Sequence, residues 1–264
     1  MSSILTSRDQ NIIVNDEAYG DISDKYIATS TESLLEEIGK YKNLKPIDFK
    51  AANVRKEEKE GKQKHAIMLQ GDNSDLGDGT NLRVVLFNSS DRSSSIKLYI
   101  GAYRAICENG MVFGDDIMEP VSIRHTKKDW KYSIFQLMQE YDSIQKTTQD
   151  MVNSLMNRYL SYSDIGKLSE RVVEEFDKDI TGSILDPLQF NTAHRKEDVG
   201  KSAWLTYQRM QYNLLQGGVD RIIEKQDDET QDIITTISKT HKITDHKKSI
   251  DMNRRLHDLI MGTL

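Results

Sequence analysis

Apolar positions change their period along this chain. Between residues 65 and 126 they recur in short runs, HAIMLQ (65–70), LRVVLFN (82–88), SIKLYIG (95–101) and VSIRHT (121–126), each of which predicts a strand. In the third run Ile96, Leu98 and Ile100 fall on one face, with Lys97 and Tyr99 on the other, the pattern of a half-buried strand. Short loops between the runs, with no helix of ordinary length, favour antiparallel pairing. GDNSDLGDGTN (71–81) predicts a turn-rich connection between the first two.

From Trp130 the spacing becomes helical. Ile134, Phe135, Leu137, Met138 and Tyr141 form a broad stripe that Ile144, Met151, Leu155 and Met156 continue, as one long helix or two abutting ones. Ser163-Asp164 predicts the cap of another helix carrying Ile165, Leu168, Val172 and Val173, and Pro187 marks a break. AWLTYQRMQYNLLQGG (203–218) predicts a helix ended by Gly217-Gly218. Trp204, Tyr207, Met210 and Leu214 share a face of it, which reads as core or as a self-association surface. The tail predicts a polar segment leading into a terminal helix with Ile250, Leu256 and Ile260 inward.

Ahead of the strands, Thr29 or Ser30 predicts the cap of a helix over SLLEEIGKY, which Pro46 ends. VRKEEKEGKQK (54–64) reads as a solvated hairpin or loop, and residues 1–27 as an arm with one short strand around Ile12, Ile13 and Val14. The expected fold is α+β, with a small antiparallel sheet in the N-terminal half followed by a helical C-terminal half. The expected organisation is an arm at 1–27, a core at 28–128, a helical region at 129–224, and a polar segment with a terminal helix at 225–264.

Composition narrows the function classes. A charged fraction of 30% and a mean hydropathy of −0.62 describe a polar, soluble chain, with no apolar run near the roughly 20 residues of a membrane span. MSSILTSRDQ does not read as a signal peptide, and one cysteine suits a reducing cytoplasm, the expected location. A net charge of −6 argues against a protein that coats DNA with its whole surface. It still permits a local cationic groove, because screening confines fields to about 8–10 Å.

The stretch LFNSSDRSSSIKLYIGAYRAICENGMVFGD (86–115) resembles the signature of a phage and plasmid protein family known as domain of unknown function 932. Further matches lie in DKYIATSTESLLEEI (24–38), KQKHAIMLQ (62–70), VSIRHT (121–126), AWLTYQRMQY (203–212) and KSIDMNRRLHDLI (248–260), in the same order. The sequence departs from the pattern where Ser90 replaces His, Arg92 replaces Gly, and His257 stands where Trp is usual. The resemblance implies a mobile-element setting, with work on or defence of phage or plasmid DNA, and leaves the chemistry open. In a phage-encoded protein the cytoplasm would be that of the host cell.

The candidate chemistry lies in and around the strands. Asn88, Ser89, Ser90 and Asp91 follow a strand, where such residues bond nearby backbone amides in turns; they could instead hold an arginine or contact phosphate. Asn109-Gly110 is a strong turn dipeptide, and Cys107 beside it reads as a small buried side chain. Arg104 needs a carboxylate or phosphate, with Asp91 or a ligand as the alternatives. Lys64, His65, Arg83, Arg104, Arg124 and His125, with Lys127 and Lys128 beyond them, are the candidate nucleic-acid contacts, bordered by Tyr99, Tyr103 and Trp130 as stacking platforms.

Neither a metal nor a cofactor is expected. Asp72, Asp75 and Asp78 lack the alternate spacing of a calcium loop, and nothing in the spacing selects Asp115 and Asp116, with Glu108, Asp91 and His125, as a Mg²⁺ site. HEXXH, Walker, GxSxG and paired CxxC motifs are absent. The leading expectation is a non-enzymatic protein that binds single-stranded DNA, in a recombination or annealing-like role, as a homo-oligomer. One alternative is a protein that binds and inhibits a host defence factor. Another is a hydrolase or nuclease using Asn88, Asp91, Arg104, Asn109, Arg124 and His125.

Overall fold

The computed structural model describes residues 5–20, 24–104, 111–112, 121–126, 129–180, 182–226, 232–244 and 246–263. The fold is α+β, with an antiparallel sheet in the N-terminal half and helices dominating the C-terminal half. The chain divides into two compact units, Met1–Tyr103 with Asp116–Thr148, and Arg104–Asp115 with Gln149–Leu264.

The first unit opens with helix α1 (Ser7–Val14) where a short strand was expected. The β-branched Ile12-Ile13-Val14 favours a strand by propensity alone. A capping box between Thr6 and Asp9 starts the helix instead, and burial of Ile12 and Ile13 at 2% and 1% exposure overrides the local preference. Helix α2 (Thr31–Gly39) is capped by Ser30, whose hydroxyl accepts from the Ser33 amide at 3.1 Å.

Strand β1 (Leu44–Ala51) runs through Pro46, which had read as a terminator. It lies at the edge of the sheet, paired with β2 (His65–Gly77), and its register shifts between Pro46 and Asp48, where a missing amide is tolerated. Strand β3 (Thr80–Asn88) returns antiparallel to β2. The expected connection over 71–81 contracts to Asp78 and Gly79, both at positive φ (51° and 67°), so the strands extend into the turn-rich segment.

Strand β4 (Ile96–Arg104) follows β3 in the sheet. It pairs with β6 (Val121–Ile123), Ile96 opposite Ile123. Alternation gives the sheet one solid apolar face. Ile67 and Leu69, Leu82, Val84 and Leu86, and Ile96, Leu98, Ile100 and Ala102 are all at most 1% exposed. Each Ile, Leu or Val side chain of this set contributes about 1.5–3 kcal/mol. Leu34 and Ile38 of α2, with Ile134, Leu137, Met138 and Tyr141 of α3 (Trp130–Asn157), supply more of this unit's buried apolar set. Helix α3 is continuous over 28 residues.

The second unit contains β5 (Met111–Val112), the end of α3, and helix α4 (Tyr162–Phe176). The α4 cap is Ser161, in a reciprocal capping box with Asp164, two residues before the expected position. Helix α5 (Ala203–Gln216) buries Trp204, Tyr207, Met210 and Leu214 at 0–3% exposure, so that face is core and not a self-association surface. Helix α6 (His246–Thr263) buries Met252, Leu256 and Ile260. A second antiparallel sheet, β7 (Ser183–Ile184), β8 (Asp220–Gln226) and β9 (Ile233–Lys239), replaces part of the expected polar tail. Its strand β9 exposes Ile233, Ile234 and Ile237, so no buried face marked it in the sequence. No helix among the described residues is long and apolar enough to cross a membrane.

Candidate functional site

Asn88 ends β3 with its side chain turned inward. Its Nδ2 donates to the Thr29 carbonyl at 2.9 Å and to Thr31 Oγ1 at 3.0 Å. Thr31 Oγ1 in turn lies 2.6 Å from His65 Nε2, and His65 Nδ1 lies 2.9 Å from the Gln63 carbonyl. A carbonyl only accepts, so Nδ1 carries a proton, while Nε2 shares a hydrogen bond with the threonine hydroxyl. Burial lowers the pKa of the ring, which favours its neutral form, with the Gln63 carbonyl opposing in part.

The turn after β3 is satisfied in the same manner. The Ser90 amide donates to the Lys62 carbonyl and its own carbonyl accepts from Tyr19, while Asp91 Oδ1 accepts from the Ser89 hydroxyl at 2.9 Å and the Ser93 amide at 3.0 Å. Burial would raise the Asp91 pKa, but the hydrogen bonds from Ser93 and Ser89 and the charge of Lys59 hold it below the usual carboxylate range. Asn88 and His65 thus join one network at the start of α2, while Ser90 and Asp91 are bonded within the turn and to Lys62, Tyr19 and Lys59.

Arg104 belongs elsewhere. Its Nη1 donates to Asp198 Oδ1 in a buried pair, where Asp91 or a ligand had been the alternatives. Arg195 Nε bonds the other Asp198 oxygen at 2.7 Å, and Arg209 Nη1 bonds the Asp198 and Gly200 carbonyls. Asp198 sits in RKEDVG, which resembles an ordinary polar loop, so nothing local marked it as the acid at the centre of an arginine cluster. His125 is also buried, stacked on Tyr26 with ring centroids 5.0 Å apart. Burial lowers its pKa, with the main chain at Ile27 and Ser94 opposing in part. Arg124 is exposed just beyond β6. Cys107, Glu108, Asn109, Asp115, Asp116, Lys127 and Lys128 lie outside the described residues.

Among the cationic candidates, Lys64 and Arg83 share a surface. Cross-strand register sets Gln70 opposite Arg83, Met68 opposite Val85, and Ala66 opposite Phe87, on the face away from the apolar core. Lys64, immediately before β2, has Nζ 6.0 Å from the Phe87 ring. Arg83 Nε donates to Gln70 Oε1 at 2.7 Å, and its guanidinium lies 5.5 Å from the Tyr103 ring. Tyr99 meets Phe87 edge-on at 5.4 Å. His65 points to the opposite face because it is the next residue along the strand from Lys64. Phe87 and Arg83 are half-buried, whereas Tyr99 and Tyr103 are buried and serve as backing rather than as open platforms.

Lys64 also borders a cleft of about 610 Å³ in the first unit, lined among others by Tyr19, Arg55, Lys56, Lys59 and Asp91. Lys59 lies 3.7 Å from Asp91 and Lys56 lies 3.8 Å from Glu58. Arg55 and Lys64 have no carboxylate within ion-pair distance among the described residues. The charge run 54–64 had read as a solvated loop; its glutamates engage Arg8, Tyr19 and Lys56, which leaves the basic side chains to line the cleft.

Sequence comparison agrees with the resemblance. A family model described as "Domain of unknown function (DUF932)" matches residues 18–255. The UPF0380 proteins YafZ and YfjQ of Escherichia coli (strain K12) are 26% and 25% identical to this chain over 213 residues, covering 78% of this chain and 74% of each relative. No solved structure matches the chain.

Proposed function

The chain belongs to the DUF932 family, and on that footing we propose that it is a phage or plasmid DNA-transaction protein that binds single-stranded DNA. The proposed contact is the outward face of the first sheet, in an annealing-like role. The observation that carries this reading is the joint placement of Lys64, Arg83 and Phe87 on one half-open face, with Tyr99 behind the Phe87 ring. Cations on such a surface neutralise backbone phosphates, and an aromatic ring stacks bases without regard to sequence.

Arg83 suits the task because its hydrogen bonds go to neutral atoms, Gln70 Oε1 and Met68 Sδ, so its charge is held in place without being cancelled. In a chain of net charge −6 such a stripe is local, and binding through it is strongly salt-dependent. Fluorescence anisotropy with a labelled oligothymidylate tests the proposal. Affinity should fall steeply between about 50 and 200 mM salt; failure to bind single strands at the lower salt ends it.

A further inference from the structure

We propose that the cleft beside β1 is a nucleotide pocket, in which Gln63 reads the base edge and the surrounding cations hold the phosphate. Gln63 is 1% exposed and lines this cleft, and neither Nε2 nor Oε1 of its carboxamide has a hydrogen-bond partner among the described residues. An unpartnered buried amide is uncommon and costly, and a side chain kept in that state suits a ligand that completes its bonds. The main chain at Gln63 is also fixed, because its carbonyl accepts from His65, itself held by Thr31 and Asn88.

The chemistry of the lining selects the ligand class. A carboxamide presents a donor and an acceptor side by side, the complement of a nucleobase edge. Around it stand Arg55, Lys56, Lys59 and Lys64 against a single lining carboxylate, Asp91, which already accepts from Ser89 and Ser93. Tyr19 contributes an aromatic wall, oriented by its hydroxyl bond to Glu58 at 2.5 Å and by Lys59 at 4.9 Å from the ring. A volume of about 610 Å³ lies within the range of small-ligand sites. The inference rests on the single-strand reading for its natural occupant, a base turned out of a bound strand, since Lys64 serves both surfaces.

Isothermal titration of the full chain with dAMP, deoxyribose 5-phosphate and inorganic phosphate tests the pocket by itself. The expected result is that dAMP binds about tenfold or more tightly than deoxyribose 5-phosphate, because a site built to bond a polar edge rejects a ligand without it. Gln63→Leu should remove that preference and leave the two ligands equal. Equal binding of dAMP and inorganic phosphate by the unaltered chain, or no binding of either, overturns the proposal, as does a preference that survives in Gln63→Leu. Should circular dichroism show that Gln63→Leu fails to fold, the exposed pair Arg55→Ala/Lys56→Ala replaces it; undiminished dAMP affinity there overturns the proposal, and a loss supports it. Single-strand binding without mononucleotide binding removes the pocket and leaves the sheet-face reading standing. Mononucleotide binding without single-strand binding does the reverse.

Discussion

Arg104 donates from Nη1 to Asp198 Oδ1 across 94 residues of sequence, and both side chains are almost wholly buried, at 0% and 2% exposure. The same carboxylate holds Arg195, so one acid satisfies two guanidinium groups in the interior of the second unit. A buried pair of this kind contributes little compared with apolar packing, but breaking it strands charge.

Asp198→Ala should therefore destabilise the protein by about 3–5 kcal/mol, because two arginines lose their shared acid in a low-dielectric setting. Urea denaturation of the variant reads this directly. A loss below about 1 kcal/mol, the scale of surface ion pairs, would show that the pair is solvated and the cluster unimportant.

Stability should depend on pH through two histidines. Burial lowers the pKa of both His65 and His125 below the ordinary 6.5, so near and below that value the unfolded chain binds more protons than the folded one. Stability should be level above about pH 7 and fall as pH drops through 6.5 toward the folded values. His125→Phe keeps the stack on Tyr26 and removes the titrating ring. It should leave stability at pH 8 within about 1 kcal/mol and reduce the slope below pH 6.5, as urea midpoints across that range would reveal.

Two glycines should respond in opposite directions to alanine. Gly217 caps α5 at φ 73°, and a β-carbon there would collide with the Thr240 carbonyl, so Gly217→Ala should cost more than about 1 kcal/mol. Gly39 lies in the last turn of α2 with open space around it, and Gly39→Ala should stabilise by about 0.4–1 kcal/mol. Thermal melts of the two variants suffice; equal shifts would contradict the backbone geometry.

On the proposed DNA face, Phe87→Ala should weaken single-strand binding by about 1–3 kcal/mol at every salt concentration, the scale of one lost stacking contact. Lys64→Ala should instead flatten the salt dependence, lowering the slope of log affinity against log salt by about 0.7. Anisotropy titrations separate the two effects. Identical behaviour of both variants would remove the division of labour between ring and cation.

Much of the fold was legible before any coordinates. Apolar runs at 65–70, 82–88, 95–101 and 121–126 mark strands of the first sheet because each carries a continuous buried face, β4 being buried on both. The stripe from Trp130 onward marks α3 for the same reason at helical period. Strand β9 escaped because both its faces are exposed, β1 because Pro46 masked an edge strand, and α1 because burial reversed the preference of Ile12-Ile13-Val14.

The candidate site divides along similar lines. Residue type alone identified Lys64 and Arg83 as cations at the early strands, whereas His65, expected beside them, is sent to the other face by strand alternation. Sequence by itself thus determined the family, the α+β order of elements and the faces of the best-patterned strands, all of which depend on residues near one another in the chain. Tertiary structure alone decided that Arg104 is neutralised by Asp198, that His125 stacks on Tyr26, and that Gln63 lines a basic cleft. Those outcomes depend on which distant side chains share a buried, low-dielectric space, and a partner 94 residues away leaves no periodic trace in the chain.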